Sequence, residues 1–294
     1  MDRSERAHGF LAGRVGVVEV YNRMMWTVAV VIVAAFAVTV ALLTANVPST
    51  QSGNQLGTQS ATQAANRPAS SYGNDISWPQ CPAAQGGYGL PLPAASAQFV
   101  VIGLTKGLPF TENPCLTSQA GWAKDHQVPA QAYAMAAFPT PKQLSAYRSQ
   151  GPWPASTKAG QLSNAGYAEA MAATASLKRV GFKPAMVWID VEPHIVQPWP
   201  AKGTASQQEN RSVLEGMMRG LHDAGYPYGV YSFTSSWRAI TGSWQLPAVP
   251  VWATAGQTDQ PADAAALCNK ASFSGGPVKL AQRYDATRDY DIDC

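Results

Sequence analysis

Charge is scarce in this chain. Asp, Glu, Lys and Arg make up 13% of its 294 residues, and the net charge at pH 7 is only +3. The longest basic run is Lys178-Arg179. The basic block or stripe that carries nucleic-acid binding is therefore missing, and the dipeptide reads as the solvated face of a helix. Histidine is just as sparse. His8, His126, His222 and His194 are scattered, and only His194 has a group of acids nearby. No C-x-x-C spacing is present, so a zinc centre has little support. There is no Gly-x-Ser-x-Gly elbow of the kind a serine hydrolase needs, no recognised calcium-loop spacing, and no internal repeat. No metal and no organic cofactor is expected, and no nucleic-acid partner.

One stretch lacks charge altogether. From Met24 to Val47 there is neither a charged residue nor a proline. These are about 24 residues, enough for a helix to cross a hydrocarbon core of roughly 30 Å. Arg14 and Arg23 precede the stretch, and the first basic residue after it is Arg67. That asymmetry puts residues 1–23 in the cytoplasm and the bulk of the chain outside. The competing reading is a cleaved signal peptide. Such a segment has a shorter apolar region and a small-x-small cleavage site, and Leu43-Thr44-Ala45-Asn46-Val47 matches one poorly. The expectation is a single-pass cell-membrane protein, spanning at 24–47, with its C-terminal part exported. Residues 48–71 are rich in Ser, Gln, Thr, Asn, Gly and Ala without periodicity and read as a flexible linker.

No cysteine precedes the span. Cys81, Cys115, Cys268 and Cys294 all follow it, and an even number outside the membrane favours disulfides. Four cysteines allow three pairings. Proximity along the sequence favours Cys81 with Cys115 and Cys268 with Cys294.

Residues 72–294 alternate short apolar runs with helical stretches. Strands are expected at Tyr72–Ile76, 99–104, 130–136, 185–190, 228–233, 249–254 and Val278–Tyr284. Helices are expected at 116–126, 164–179 and 207–224, with Gly181 and Gly225 at the C-terminal caps of the last two. The apolar runs lack strict alternation, which suits strands covered on both faces. Such a pattern implies a parallel sheet. Its length suits one α/β domain, a single β/α (TIM-like) barrel of seven or eight units. Two Pro-Trp-Pro segments, at 152–154 and 198–200, read as loops over one end of it.

The apolar run at 185–190 ends in Asp190-Val191-Glu192. Residues two apart on a strand share a face. Asp190 and Glu192 would thus project together from the strand's C-terminal end, where barrel active sites lie. Two adjacent carboxylates tend to divide into one that keeps its proton and one that ionises, the division that glycoside hydrolysis uses. The competing reading is a rim salt bridge or a helix cap. Asp75 sits near the end of the first strand, where a turn or capping role is the simpler reading. The acids of 285–293 read as a charged surface loop.

Taken in order, several segments resemble the glycoside hydrolase family 25 lysozymes (the Chalaropsis type). They are Asp75-Ile76-Ser77 with Gln80, Phe99-Val100-Val101-Ile102, Thr105-Lys106-Gly107, Trp122, Ala132-Tyr133, Asp190-Val191-Glu192, Tyr228-Gly229-Val230-Tyr231-Ser232, Val251-Trp252-Ala253, Gln282 and Asp291. The resemblance covers nearly all of residues 72–294. It implies a β/α barrel that cleaves the β-1,4 bond between N-acetylmuramic acid and N-acetylglucosamine in peptidoglycan. Glu192 would be the general acid and Asp190 its partner carboxylate. Asp75 and Asp291 would be the acids of the first strand and of the C-terminal segment, with Asp289 and Asp293 close enough to compete for the latter place. Tyr133, Trp188, Tyr231, Trp252 and Gln282 would line the sugar cleft, although each aromatic also suits a core. The chain departs from the family pattern at Lys106, where glutamate is common, and at Ala134, where histidine is common. The tyrosine usual near Trp252-Ala253 is absent, and Arg283 separates Gln282 from Tyr284. These departures support an alternative reading, a catalytically inactive domain that binds or scaffolds cell-wall glycan.

Overall fold

The computed structural model describes residues 70–294. The expected span at 24–47 and all but the last two residues of the expected linker lie outside the described residues. Among the described residues no helix is long and apolar enough to cross a membrane.

Eight strands close into a barrel in sequence order. They are β1 (Tyr72–Ile76), β2 (Phe99–Gly103), β3 (Ala130–Met135), β4 (Val187–Asp190), β5 (Tyr228–Ser232), β6 (Val251–Gln257), β7 (Val278–Tyr284) and β8 (Asp289–Asp293). Six helices accompany them. α1 (Leu116–Asp125) links β2 to β3, and α2 (Pro141–Tyr147) and α3 (Lys158–Val180) link β3 to β4. α4 (Gly203–Asp223), α5 (Thr234–Thr241) and α6 (Pro261–Leu267) make the next three crossovers. All seven expected strands form, with ends shifted by a few residues at most. Gly181 and Gly225 take the left-handed φ values, 66° and 83°, that end helices α3 and α4. α2, α5 and α6 were not expected. They have 7, 8 and 7 residues, too few turns for an apolar stripe to repeat. α2 is set instead by its cap, where Thr140 Oγ1 accepts from Gln143 N and Gln143 Oε1 accepts from Thr140 N.

The barrel departs from the expected repeat at two places. No α-helix joins β1 to β2, and β8 runs antiparallel to both of its neighbours, β7 and β1. The segment expected to be a charged surface loop is therefore a hairpin. Its turn is built on Asp285, whose Oδ1 accepts from Thr287 N at 2.7 Å and Arg288 N at 2.9 Å. These bonds hold the Asp285 carboxyl down at about 2. Beyond the turn the acids fall on alternate residues. Asp291 is buried, while Ile292 packs on Ala264 and Ala281 beneath α6.

Period-two alternation divides the hydrophobic residues into two layers. Val100, Ile102, Ala132, Ala134, Val187, Ile189, Val230, Val251 and Ala253 face the helices. Phe99, Val101, Trp188, Tyr231, Trp252 and Leu280 pack together with Tyr133 inside the barrel. The absence of visible alternation in the sequence follows, since both faces of each parallel strand are apolar. Large rings inside a narrow barrel need space opposite them. Gly229, the register partner of Trp188, provides it: a Cβ there would fall on the indole ring. Outside, α3 and α4 pack most intimately, and a Cβ on Gly216 would meet the Ser163 carbonyl oxygen.

Both expected disulfides form. Cys81–Cys115 ties the β1–β2 loop to the start of α1, and Cys268–Cys294 ties the end of α6 to the residue after β8.

The interior layer makes one expectation concrete. Gly229→Ala forces Trp188 out of place, and urea denaturation should show a loss of about 1–3 kcal/mol, as for other overpacked cores. An unchanged midpoint would mean the barrel interior yields more readily than its packing implies.

Candidate active site

The barrel mouth at the C-terminal ends of the parallel strands gathers acids from three segments of the chain. Asp75 lies on β1 with its side chain inside the barrel, so it is neither a turn nor a capping residue. Asp190 ends β4 and pairs in register with Met135 and Tyr231. Val191 N still bonds the Tyr231 carbonyl at 2.9 Å, so the chain remains extended into Glu192. The following loop is held at several points. Trp199 Nε1 donates to the Glu192 carbonyl at 2.9 Å. Gln197 Nε2 donates to the Phe138 carbonyl at 2.8 Å, and Asn210 Nδ2 to the Pro200 carbonyl at 2.8 Å. The second Pro-Trp-Pro segment thereby becomes the support of Glu192.

A hydrogen-bonded chain crosses the barrel mouth. The Tyr231 hydroxyl donates to Gln282 Oε1 at 2.8 Å, and Gln282 Nε2 donates to Asp75 Oδ2 at 2.8 Å. Asp75 and Asp291 bond to each other, which requires one of them to carry a proton. That bond raises Asp75 and lowers Asp291, so the proton resides on Asp75. Trp252 Nε1 completes the chain by donating to Asp291 Oδ1 at 3.0 Å.

Burial is the first cause of every acid's shift here. It pushes Asp75 well above the usual carboxylate range, with Asp291 adding to the effect. It does the same for Asp190, with help from Glu192 and Asp75. Asp289 is raised by burial and then by Asp75. Glu192 is pushed up to about 7. Asp291 rises to about 8 through burial and the neighbouring Asp289, even though its hydrogen bonds oppose the rise. Among the described residues, none of the ion pairs involves these acids. Asp190 Oδ1 and Asp291 Oδ2 are buried without a hydrogen-bond partner. Glu192, Asp289, Tyr133 and Tyr284 keep partial exposure, so the cluster meets solvent through them.

Trp252 is the centre of an aromatic floor. Its ring lies 4.6 Å from Tyr231, 6.0 Å from Trp188 and 6.0 Å from Tyr133. Trp188, at 1% exposure, is the most deeply set, with its indole N–H donating to Gln131 Oε1 at 2.6 Å. It supports the floor from within the barrel. Asp75, Asp190, Glu192, Asp291, Gln282, Tyr133, Tyr231 and Trp252 are thus brought together. Asp289 joins them, although the sequence offered it only as a competitor for the place of Asp291. Trp199 was not singled out as a site residue; its only signal was a proline-flanked tryptophan seven residues after Glu192.

The departures from the family pattern leave the acids untouched. Ala134 faces the helical layer. Lys106 turns onto the ring of Trp78, 5.7 Å from its centroid. Trp153 packs edge-on against Tyr167 of α3. His194 donates through Nε2 to the Ala136 carbonyl at 3.0 Å and is held neutral by burial. Among the described residues no group of His, Cys, Asp and Glu has the arrangement of a metal site. A surface hollow of about 500 Å³ lies at the opposite end of the barrel, beside Cys294 and the N-terminal residues of β7. Lys270 and Lys279 line it and no acidic side chain does, so it offers no acid chemistry.

Known proteins resemble this barrel in part. A family model described as Lysozyme-like protein 1 matches residues 141–269. The match runs from α2 to just past α6, so it includes Asp190 and Glu192 but neither Asp75 nor Asp291. No curated protein matches the chain. Among solved structures, the spore cortex lytic enzyme SleM of Clostridium perfringens aligns at 12% identity and a TM-score of 0.52, over 78% of this chain and 68% of its own. A family GH25 lysozyme of Aspergillus fumigatus aligns at 16% identity and a TM-score of 0.46, over 77% and 94% of the two chains. The modular autolysin LytC of Streptococcus pneumoniae aligns at 12% identity and a TM-score of 0.47, over 76% of this chain. The chain spans only 46% of the length of LytC. At these identities the likeness concerns the fold.

The shifted acids have a consequence for stability. In the unfolded chain Glu192 and Asp291 lose their protons near their ordinary values of 4.5 and 3.8, and in the folded chain at about 7 and about 8. Between those limits the folded state binds more protons, so the stability these groups contribute is present at low pH and is lost as pH rises through 7 to 8. The thermal midpoint should fall between about pH 5.5 and pH 8, and Asp291→Asn should shrink that fall. A slope unchanged in Asp291→Asn would show that this acid is not the source.

Proposed function

We propose that the chain is a membrane-anchored, extracytoplasmic peptidoglycan hydrolase of muramidase type. The observation that carries this reading is Glu192, a partly exposed acid with its pKa raised to about 7, set beside Asp190 at the catalytic end of a barrel. The match of residues 141–269 to Lysozyme-like protein 1 supports it.

In the reactive form Glu192 carries the proton and Asp190 is ionised. Glu192 raises Asp190 through its charge, so the two titrate as a pair in which the first proton to leave is lost more readily than the second. Glu192 protonates the glycosidic oxygen as the C–O bond breaks. Asp190, whose Oδ1 has no hydrogen-bond partner, faces the positive charge that develops on the anomeric carbon, either stabilising it or bonding to it. Water then completes hydrolysis, with Glu192 receiving its proton. The Tyr231–Gln282–Asp75–Asp291–Trp252 chain orients the surrounding acids. The protonated Asp75 keeps one more negative charge out of the mouth. This mechanism uses no metal and no organic cofactor.

Residues 24–47 serve as the anchor in this reading and residues 48–71 as the tether, which confines cutting to wall within reach of the bilayer. Two disulfides suit an exported, oxidising setting. Retention in the membrane pellet after alkaline carbonate washing tests the anchor, and release into the supernatant would remove it from the proposal.

Release of reducing ends from peptidoglycan tests the chemistry. Glu192→Gln and Asp190→Asn should each lower the rate by about 10²–10⁴-fold, the usual share of a positioned acid or base. The rate should also decline as pH rises through about 7, where Glu192 loses its proton. Undiminished release by Glu192→Gln would sink the assignment. Wall binding with no release by the parent protein would leave the glycan-binding domain in its place.

A further inference from the structure

The β1–β2 side of the barrel mouth carries a second group of side chains that the acid chemistry does not use. Trp78 follows Asp75 by three residues, where the chain leaves β1. Its ring lies 5.0 Å from that of Tyr88, tilted at 60°. Tyr88 is 55% exposed, and Lys106, also exposed, reaches over Trp78 from the loop after β2. Among the described residues none of the ion pairs involves Lys106. Two aromatic faces and a cation without a carboxylate partner thus stand next to a mouth lined with acids.

This group is held rigidly on both sides. The Cys81–Cys115 bridge fixes the loop that carries Trp78 and Tyr88. Lys106 sits on a small hairpin closed by the Thr105–Glu112 bridge and by the bond from Lys106 N to the Thr111 carbonyl, 2.9 Å. At the tip of that hairpin Phe110 takes a left-handed φ of 60° and stacks on Tyr147 of α2 at 4.4 Å, nearly parallel. A bulky residue in that conformation persists only where its surroundings demand it. The backbone of Gly107 lies beside the Trp78 indole N–H, with no side chain between them.

We propose that Trp78, Tyr88 and Lys106 form a subsite for a carboxylate-bearing sugar unit of the glycan that enters the mouth. The aromatic faces take the C–H face of the ring, and the Lys106 ammonium pairs with the carboxylate. This subsite rests on the reading of the chain as a wall-glycan hydrolase, and it makes the acidic unit of the glycan the one recognised on the β1 side. The ionised acids of the mouth repel a carboxylate, so the cation on this rim sets which way an acidic glycan lies across the barrel. The carboxylate has two sources in peptidoglycan: the lactyl group of a muramyl unit without its stem, or the stem peptide itself.

The test measures binding to the full-length protein carrying Glu192→Gln, which prevents cleavage. The probes are stem-free muramyl glycan strands, strands with intact stems, and a neutral chito-oligosaccharide of equal length. Adding Lys106→Ala should weaken binding of an acidic strand about three- to tenfold and change the neutral probe by less than about twofold, as for a solvent-exposed ionic contact. The acidic strand that loses more identifies the source of the carboxylate. Lys106→Arg should restore most of the loss, and Tyr88→Ala should weaken all three probes. Equal affinities with and without Lys106→Ala, equal losses on acidic and neutral strands, or no binding of any probe would each overturn the subsite. Cleavage by the chain with Glu192 intact is scored in parallel. Cleavage without a Lys106 effect removes the subsite alone, whereas a Lys106 effect without cleavage removes the hydrolase and keeps the subsite.

Discussion

Closure of the barrel by β8 is the constraint on which the site depends. Seven parallel strands leave two edges, and an edge exposes unpaired N–H and C=O groups. β8 satisfies both edges at once by running antiparallel between β7 and β1. It also carries Asp291 into the mouth and brings β1 within one strand of β7. Only then does Gln282 reach Asp75, 207 residues away in the chain. The Cys268–Cys294 bridge holds the far end of this strand, so the same covalent tie that secures the fold secures the acid.

Gathering acids in one barrel mouth without a cationic partner works against stability. Asp75, Asp190, Asp289 and Asp291 are raised first by burial and then by neighbouring acids, and Glu192 by burial. The chain limits the cost by sharing. Asp75 shares a proton with Asp291, while Gln282 donates to Asp75 Oδ2 and Trp252 to Asp291 Oδ1. Two of these acids, Glu192 at about 7 and Asp291 at about 8, lie near neutral pH, the condition in which a carboxylic acid can give up a proton and regain it. Function and stability are thus opposed at this site, as they commonly are where polar groups are buried for chemistry.

Around this mouth the loops are stiff. Proline flanks the tryptophan of both Pro-Trp-Pro segments. Trp199 and Gln197 pin the loop after β4, Asn164 Oδ1 accepts from Trp153 N at 3.0 Å, and a disulfide fixes the loop after β1. Under the proposed function, a rim organised in this way would orient a long, flexible polymer with little further loss of chain entropy in the protein.

Much of this was legible in the sequence. Buried strands announce themselves as short apolar runs, and helices α1, α3 and α4 as longer stretches closed by glycine, because burial on two faces and left-handed caps are local requirements. Asp190 and Glu192 were legible for the same reason, since a two-residue spacing at the end of an apolar strand admits one geometry. The pairing of cysteines followed from proximity. β8 was not legible. Asp289, Asp291 and Asp293 look like a solvated loop unless a partner strand buries them, and that partner is at the other end of the domain. The proton shared by Asp75 and Asp291, the packing of Trp188 beneath the site and the support of Glu192 by Trp199 likewise belong to the tertiary structure. Each depends on which distant side chains are brought into contact and on how little water is left between them, and neither quantity is written in any local stretch of the chain.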